Sequence, residues 1–297
     1  MPALLICLLI TGLSIILQSV LNLNVDVGAA IDIARRIADG QHLYRDLYEV
    51  NPPCIFYLEL PAVFLADHFH WSDTYAAAIY HTSLALISLA SCFQVLHVTS
   101  AQRSPLWDHT MMIFLCFSLL LLPIFMLVDH FGQREHFFMM FTLPYFISIF
   151  CWPESRPTYP LALKICVGLL AGIGFSIKPF FLLAFATSEL IRLIYSRRIA
   201  TIFTVETIVC AITLASYPIL IFYAFPEYLY TILPLVSRTY LFYSQAHYGA
   251  LRWTIFTFLF LTGGGILFLP FVGFFDKSPQ QRSLLVIMLS MIIIGIM

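Results

Sequence analysis

Long apolar runs separated by short polar stretches set the pattern of this chain. The runs lie near residues 3–21, 74–98, 109–128, 136–151, 161–177, 179–195, 202–224, 253–275 and 283–297. A helix needs about 20 apolar residues to cross a bilayer core. The pattern therefore predicts an all-α integral membrane protein, a multi-span helical bundle of about nine transmembrane helices. The runs at 161–177 and 179–195 are short for full spans and meet at Ser176-Ile177-Lys178-Pro179. A tilted or broken helix fits them, and Pro179 suits a break.

The longest polar stretch, residues 22–73, follows the first run. Inside it, residues 25–39 carry helical periodicity. Ala30, Ile33, Ala34 and Ile37 form one stripe, and Asp32, Arg35, Arg36 and Asp39 the other. Such a helix is expected to lie on a membrane surface with its charges up. Gly40 ends it as a cap, and Pro52-Pro53 suits the first turn of the next segment. Residues 54–66 are apolar but too short to span, and read as an interfacial helix broken near Pro61.

Composition agrees with a lipid environment. Of 297 residues, 61% are hydrophobic and 10% charged, against about 25% charged in soluble domains, and the mean hydropathy is +0.91. The formal net charge of -1 gives no reason to expect a nucleic-acid partner. None of the seven cysteines stands in a CxxC pair, which points away from a zinc or disulfide framework. The first run has no Lys or Arg before it and no small-x-small site before Asn22, so it reads as an uncleaved signal anchor. With the N-terminus cytoplasmic, eight of the 15 Lys and Arg fall on inner loops, at higher density than outside. The region 22–73 then becomes an extracytoplasmic loop. Short loops and the lack of an N-x-S/T sequon favour a bacterial inner membrane. The last run stops at Met297 without a flanking charge, which suggests a shortened version of a longer protein.

Few residues in such a chain can carry chemistry. Asp26 follows the first run directly, at the outer membrane boundary, where a helix cap and a chemical role are both open. The turn at 129–136 gathers Asp129, His130, Arg134, Glu135 and His136 between two apolar runs. Ionisable groups there suit a cavity better than lipid; mutual pairing of Arg134 with Asp129 or Glu135 is the alternative. The Asp/His/Glu/His mixture admits a divalent ion without matching a metal motif. Lys178 stands alone between two apolar runs, either snorkelling or holding an anion. Arg45, Asp46 and Glu49 suit a salt-bridged loop or the wall of a pocket. Tyr228, Tyr230, Tyr240, Tyr243 and Tyr248 suit an interfacial aromatic belt, while Glu189 and Glu206 fall near inner span ends and read as structural.

The order of these pieces resembles the first extracytoplasmic loop of the GT-C membrane glycosyltransferases: a first span, Asp26, an amphipathic helix, Gly40, Tyr44-Arg45-Asp46 and Pro52-Pro53. The match runs over residues 1–100 and looks like the branch of protein mannosyltransferases and the bacterial aminoarabinose transferase. Many relatives carry two adjacent acids where this chain has Val25-Asp26-Val27. The resemblance implies a donor sugar on a polyprenyl-phosphate carrier and a glycolipid, glycan or protein acceptor. It implies catalytic roles for Asp26, as general base, and for Asp129; Glu135, in the same turn as Asp129, is a further catalytic candidate from its own chemistry. Lys178, Arg134 and Arg45 would bind the lipid phosphate. No cofactor is certain from the sequence, and a divalent metal stays open. Relatives usually have more spans and a further C-terminal domain. A multi-span transporter and an inactive shortened relative are the rival readings.

Overall fold

The computed structural model describes residues 2–21, 23–99, 105–121, 124, 131–150 and 159–246. All regular elements among the described residues are helices, with no strand; one isolated bridge joins Leu43 to Leu47. The α-helices are α1 (Pro2–Val20), α2 (Val25–Ala38), α3 (Cys54–Phe69), α4 (Asp73–Thr99), α5 (Pro105–Leu120), α6 (Arg134–Phe150), α7 (Leu161–Ser176), α8 (Phe181–Ser196), α9 (Val205–Ala224) and α10 (Leu233–Ala246). A short 3₁₀ turn, Ile199–Ile202, precedes α9, and a π turn, Tyr228–Ile232, precedes α10.

Two of these helices are long and apolar enough to cross a membrane, over Asp73–Val95 and Val205–Ala224. A third crossing is reached if α1 and α2, bent by 79° at their junction, are counted as one broken span. The expected spans at 253–275 and 283–297 lie outside the described residues. Helices α7 and α8 have 16 residues each, about 24 Å of helix at 1.5 Å per residue, short of a bilayer core of about 30 Å. Lys178 and Pro179 sit in the break between them. The outer face of α1, with Leu4, Leu5, Leu8, Leu9, Leu13 and Ile16, is exposed and suits lipid.

Helix α6 is the axis of the bundle. Phe137, Met140, Leu143, Tyr145 and Ile147 along it are fully buried. Phe138 stacks on Phe181 at 4.1 Å between ring centroids and meets Phe175 edge-on at 5.7 Å, tying α6 to α7 and α8. Helix α7 packs on α9 through Gly168 and Gly172, one turn apart. A Cβ on Gly168 would stand 2.6 Å from the Glu206 carbonyl oxygen, and one on Gly172 would stand 2.5 Å from Thr213 Cβ. The backbones come this close because no side chain intervenes, the small-residue contact common between helices in membranes.

Two local expectations change. Helix α3 runs unbroken through Pro61. Nor does α2 lie free on a surface: its buried side chains are Val27, Ala30, Ile31 and Ala34, of which Val27, Ile31 and Ala34 pack against Ala62, Val63 and Ala77 and Ala30 joins the main core. Ile33 and Ile37 of the expected stripe are partly buried against the main core. Its charges are also engaged. Arg35 reaches Asp67 at 2.8 Å and Asp73, while Arg36 pairs with Asp32 at 2.9 Å. The hydrogen bond to Asp73, then that to Asp67, pushes the Arg35 pKa upward. Helix α2 is thus clamped to α3 and the start of α4. It ends as expected: Gly40 has φ +90°, its N–H bonds the Ile37 carbonyl at 3.0 Å, and the Gln41 N–H bonds that of Arg36 at 3.0 Å, a left-handed Schellman cap.

The glycine contact gives a direct test. Gly172→Leu is expected to cost about 1–3 kcal/mol by overpacking, read as a lowered thermal midpoint in detergent. Gly12→Ala, at a position with nothing within 4 Å of the added atom, is expected to leave the midpoint unchanged. Equal midpoints for both variants would refute the close α7–α9 approach.

Candidate active-site cleft

The first loop meets the start of α6 in a cleft of about 130 Å³. Asp26, Glu49, Asn51, Gln133 and Arg134 supply its polar lining, and Val27, Ala30, Ile55 and Phe56 its apolar wall. Asp26 reaches it because Asn24 takes the capping role: the Asn24 side-chain oxygen accepts from the Asp26 N–H at 2.7 Å. The Asp26 carboxylate is therefore not used as a cap, and its side chain is 66% exposed.

Arg134 stands across from it. One guanidinium nitrogen lies 3.8 Å from Asp26 Oδ2, and the other donates to the side-chain oxygen of Asn51. Asn51 is itself fixed. Glu49 Oε1 accepts from the N–H of Val50 at 2.7 Å, the N–H of Asn51 at 2.9 Å and Asn51 Nδ2 at 2.8 Å. The Tyr44 hydroxyl donates to the Asn51 carbonyl at 2.6 Å. Tyr44 adopts a left-handed φ of 71° and packs against Phe225 and Tyr228 at centroid distances of 6.0 and 5.1 Å. Residues 44–51 thus form a braced strap that holds Arg134 near Asp26. A carboxylate with open access can take a proton, and a guanidinium held by a neutral amide keeps donors for a phosphate.

The remaining expected site residues are placed elsewhere. Glu135 pairs with Lys178, and their side chains are 8% and 20% exposed. Lys178 also lies over the Phe181 ring at 5.9 Å. Neither lines the cleft. Arg45 pairs with Glu227 at 2.5 Å, tying the strap to the segment after α9. Asp129 and His130 lie outside the described residues. His136 is engaged on both ring nitrogens: the Gly132 N–H donates to Nδ1 at 3.0 Å, and Nε2 lies 2.9 Å from the Leu119 carbonyl. Among the described residues, no group of three or more His, Cys, Asp or Glu could hold a metal ion. Tyr228 is buried against Tyr44 rather than part of a belt, whereas Tyr230 is exposed. The side chains of Tyr240, Tyr243 and Tyr248 lie outside the described ones. Glu189 accepts from Tyr145 at 2.6 Å and pairs with Arg192 at 3.3 Å, about three turns along α6 from Arg134.

Two features go beyond the sequence reading. One is Asn51 as the partner of Arg134, for which a polar residue before Pro52-Pro53 is a faint signal. The other is a buried couple, Glu59 of α3 and His81 of α4, in contact at 2.9 Å. Its signal was present, because each is an ionisable residue inside an apolar run.

Compared with protein-family models, curated proteins and solved structures, the chain gives no match.

Two outcomes check this geometry. Replacing Lys178 alone by Met leaves Glu135 buried without its partner, which is expected to cost about 3 kcal/mol or more. Lys178→Met with Glu135→Gln is expected to recover most of the loss in thermal midpoint, whereas additive losses would mean that the two do not pair. At the strap, the Glu227 carboxyl is held below the usual carboxylate range by its own backbone amide and then by Arg45. A lowered folded-state pKa means that the bridge holds at neutral pH and is lost only as pH falls through that lowered value. Glu227→Gln, which imitates the acid form, is expected to speed tryptic cleavage after Arg45 at pH 7.5. An unchanged rate would show that the bridge does not hold the strap.

Proposed function

We propose that the protein is a membrane glycosyltransferase that moves a sugar from a polyprenyl-phosphate carrier to a hydroxyl on the extracytoplasmic side. The observation that carries this reading is the exposed Asp26 carboxylate, free of its capping duty and 3.8 Å from Arg134 in a shared cleft. In this reading Asp26 takes the proton from the acceptor hydroxyl. The acceptor oxygen forms the new bond to the anomeric carbon. The bond from that carbon to the phosphate oxygen breaks, and the polyprenyl phosphate leaves with the electron pair. Arg134 holds the phosphate, where two parallel donors match two phosphate oxygens and stabilise charge through the transition state. A single displacement of this kind inverts the anomeric carbon. Asn51, Gln133 and Glu49 offer hydrogen bonds to sugar hydroxyls.

The surroundings fit this assignment. The cleft opens where α1 ends, at the boundary a lipid-borne donor must reach. Its apolar wall of Val27, Ala30, Ile55 and Phe56 suits the first isoprene units. Lys178 and Glu135, paired behind the cleft, give α6 a fixed starting point in place of direct contact with the donor. Arg45 acts through the strap. Asp129, at the outer end of the third expected span, is a further acid for this chemistry. The proposal includes a bundle of about nine spans, a cytoplasmic N-terminus and a bacterial inner membrane. Its acceptor is a glycolipid, a glycan or a protein.

A transporter is the second reading, favoured by the Lys178–Glu135 pair at the break between α7 and α8, since charged pairs at broken helices also mark solute paths. One experiment separates the two. Purified protein in liposomes is given a panel of radiolabelled polyprenyl-phosphate sugars and a membrane extract as acceptor pool. Wild type is expected to transfer label, and Asp26→Asn to lose at least about a hundredfold in rate. Full transfer by Asp26→Asn would sink the mechanism. Solute uptake without label transfer would favour the transporter.

A further inference from the structure

Below the cleft, two imidazoles hold the turn from which Arg134 emerges. Gly132 occupies the turn with φ +79°, and a Cβ there would stand 2.6 Å from His81 Cε1 and 2.7 Å from His81 Nδ1. The backbone therefore rests directly on the edge of the His81 ring. On its other side, the Gly132 N–H donates to His136 Nδ1 at 3.0 Å. Phe131 stands against both rings, with centroids 6.1 Å from His81 and 4.4 Å from His136. Phe137, one turn on, meets the His81 ring edge-on at 5.2 Å.

Each imidazole is fixed by an acceptor on its far nitrogen. His81 Nε2 lies 2.9 and 3.2 Å from the two oxygens of Glu59. His136 Nε2 donates to the Leu119 carbonyl at 2.9 Å. Glu59, His81 and His136 are fully buried or nearly so. Burying polar side chains of this kind is costly unless they are hydrogen-bonded, and packed apolar residues at these positions would spare that cost. The couple instead provides direction. A histidine ring held at its far nitrogen presents one edge at a fixed height, and a glycine turn can rest on that edge without a gap.

We propose that Glu59 and His81 are positioning residues for the transfer reaction, and that they set the 131–133 turn so that Arg134 stands opposite Asp26. The reaction part of this inference rests on the glycosyltransferase reading; the turn part stands on packing alone. Neither residue touches the cleft. Glu59 orients His81, His81 supports Gly132, and Gly132 fixes where α6 begins and where its first residue, Arg134, points. Val27 closes the same contact from the side of α2, since its Cγ1 stands 3.3 Å from a Cβ placed on Gly132. The residue next to Asp26 and the residue two before Arg134 therefore share one seat, which couples the two chemical groups through the backbone.

The test pairs a measurement of the turn with one of the cleft. Hydrogen exchange by mass spectrometry is run on wild type, His81→Ala, His81→Gln and Glu59→Ala in detergent. Exchange at the amides of residues 132–134 is expected to rise at least tenfold in His81→Ala while α7 and α9 keep their protection. In His81→Gln, whose amide can still donate to Glu59, exchange is expected to stay near wild type. Glu59→Ala reaches the same turn from the far side of the ring and serves if His81→Ala does not fold. Unchanged exchange at the turn in whichever of the two folds would overturn the proposal.

Binding of farnesyl phosphate is then measured for Arg134→Ala, His81→Ala and the double variant. Arg134→Ala is expected to weaken it at least tenfold, His81→Ala to do the same, and the double variant to be no weaker than Arg134→Ala alone. Multiplying losses in the double variant would overturn the positioning role, because His81 would then act independently of Arg134. If Arg134→Ala binds as tightly as wild type, it is the donor-site reading that fails, and the exchange result still decides whether the couple holds the turn.

Discussion

The guanidinium of Arg134 joins the first loop to the helical bundle. It begins α6, a helix whose described side chains are nearly all buried, and it reaches out to Asn51 and Asp26. A cation at the edge of an apolar bundle must be matched, because an unpaired charge out of water is costly. Asn51 meets that need without cancelling the charge, and so Arg134 keeps its field in the cleft. The strap from Tyr44 to Asn51, the Glu49 carboxylate beneath it and the Arg45–Glu227 bridge all serve to keep Asn51 in place.

A second constraint follows from the low charge content. Several buried ionisable groups have a partner of matching chemistry: Glu135 with Lys178, Glu59 with His81, Glu189 with Arg192 and Tyr145. Glu206 accepts from Tyr159 through Oε1, while its buried Oε2 has no hydrogen-bond partner among the described residues. The first two couples lie near the cleft and brace the ends and turns that present Asp26 and Arg134. The others lie toward the far end of the bundle, where they join α6, α8 and α9. Polar contacts in this protein therefore locate helix ends, while aromatic and glycine contacts hold the helix shafts together.

The sequence pattern was informative about helices and weak about partners. Periodicity and composition gave the all-helical class, the helix at 25–39 and its Gly40 cap, because each depends on neighbours in the chain. The unbroken α3 escaped notice because Pro61 is tolerated where tertiary packing supports the helix. Asp26 was singled out by its place after the first apolar run, but not its freedom from capping, which depends on the side chain of Asn24. Arg134, in a turn crowded with ionisable residues, and Lys178, alone between apolar runs, both suited the lipid phosphate. Their difference lies in long-range partners, Asn51 for one and Glu135 for the other, which no local spacing encodes. Glu59 and His81 were legible as ionisable residues in apolar runs, yet their meeting across α3 and α4 needs the fold. The tyrosines after α9 looked like a belt, whereas Tyr228 turns inward to pack on Tyr44.

The central claim is that Asp26 and Arg134 face one bound donor. The most direct measurement is an electron cryomicroscopy structure of the protein in a nanodisc with a non-hydrolysable polyprenyl-phosphonate sugar. The expected density puts the phosphonate on the Arg134 guanidinium and the anomeric carbon toward Asp26, with the lipid along Ile55 and Phe56. A phosphonate bound at Lys178, with the Asp26 cleft empty, would contradict it.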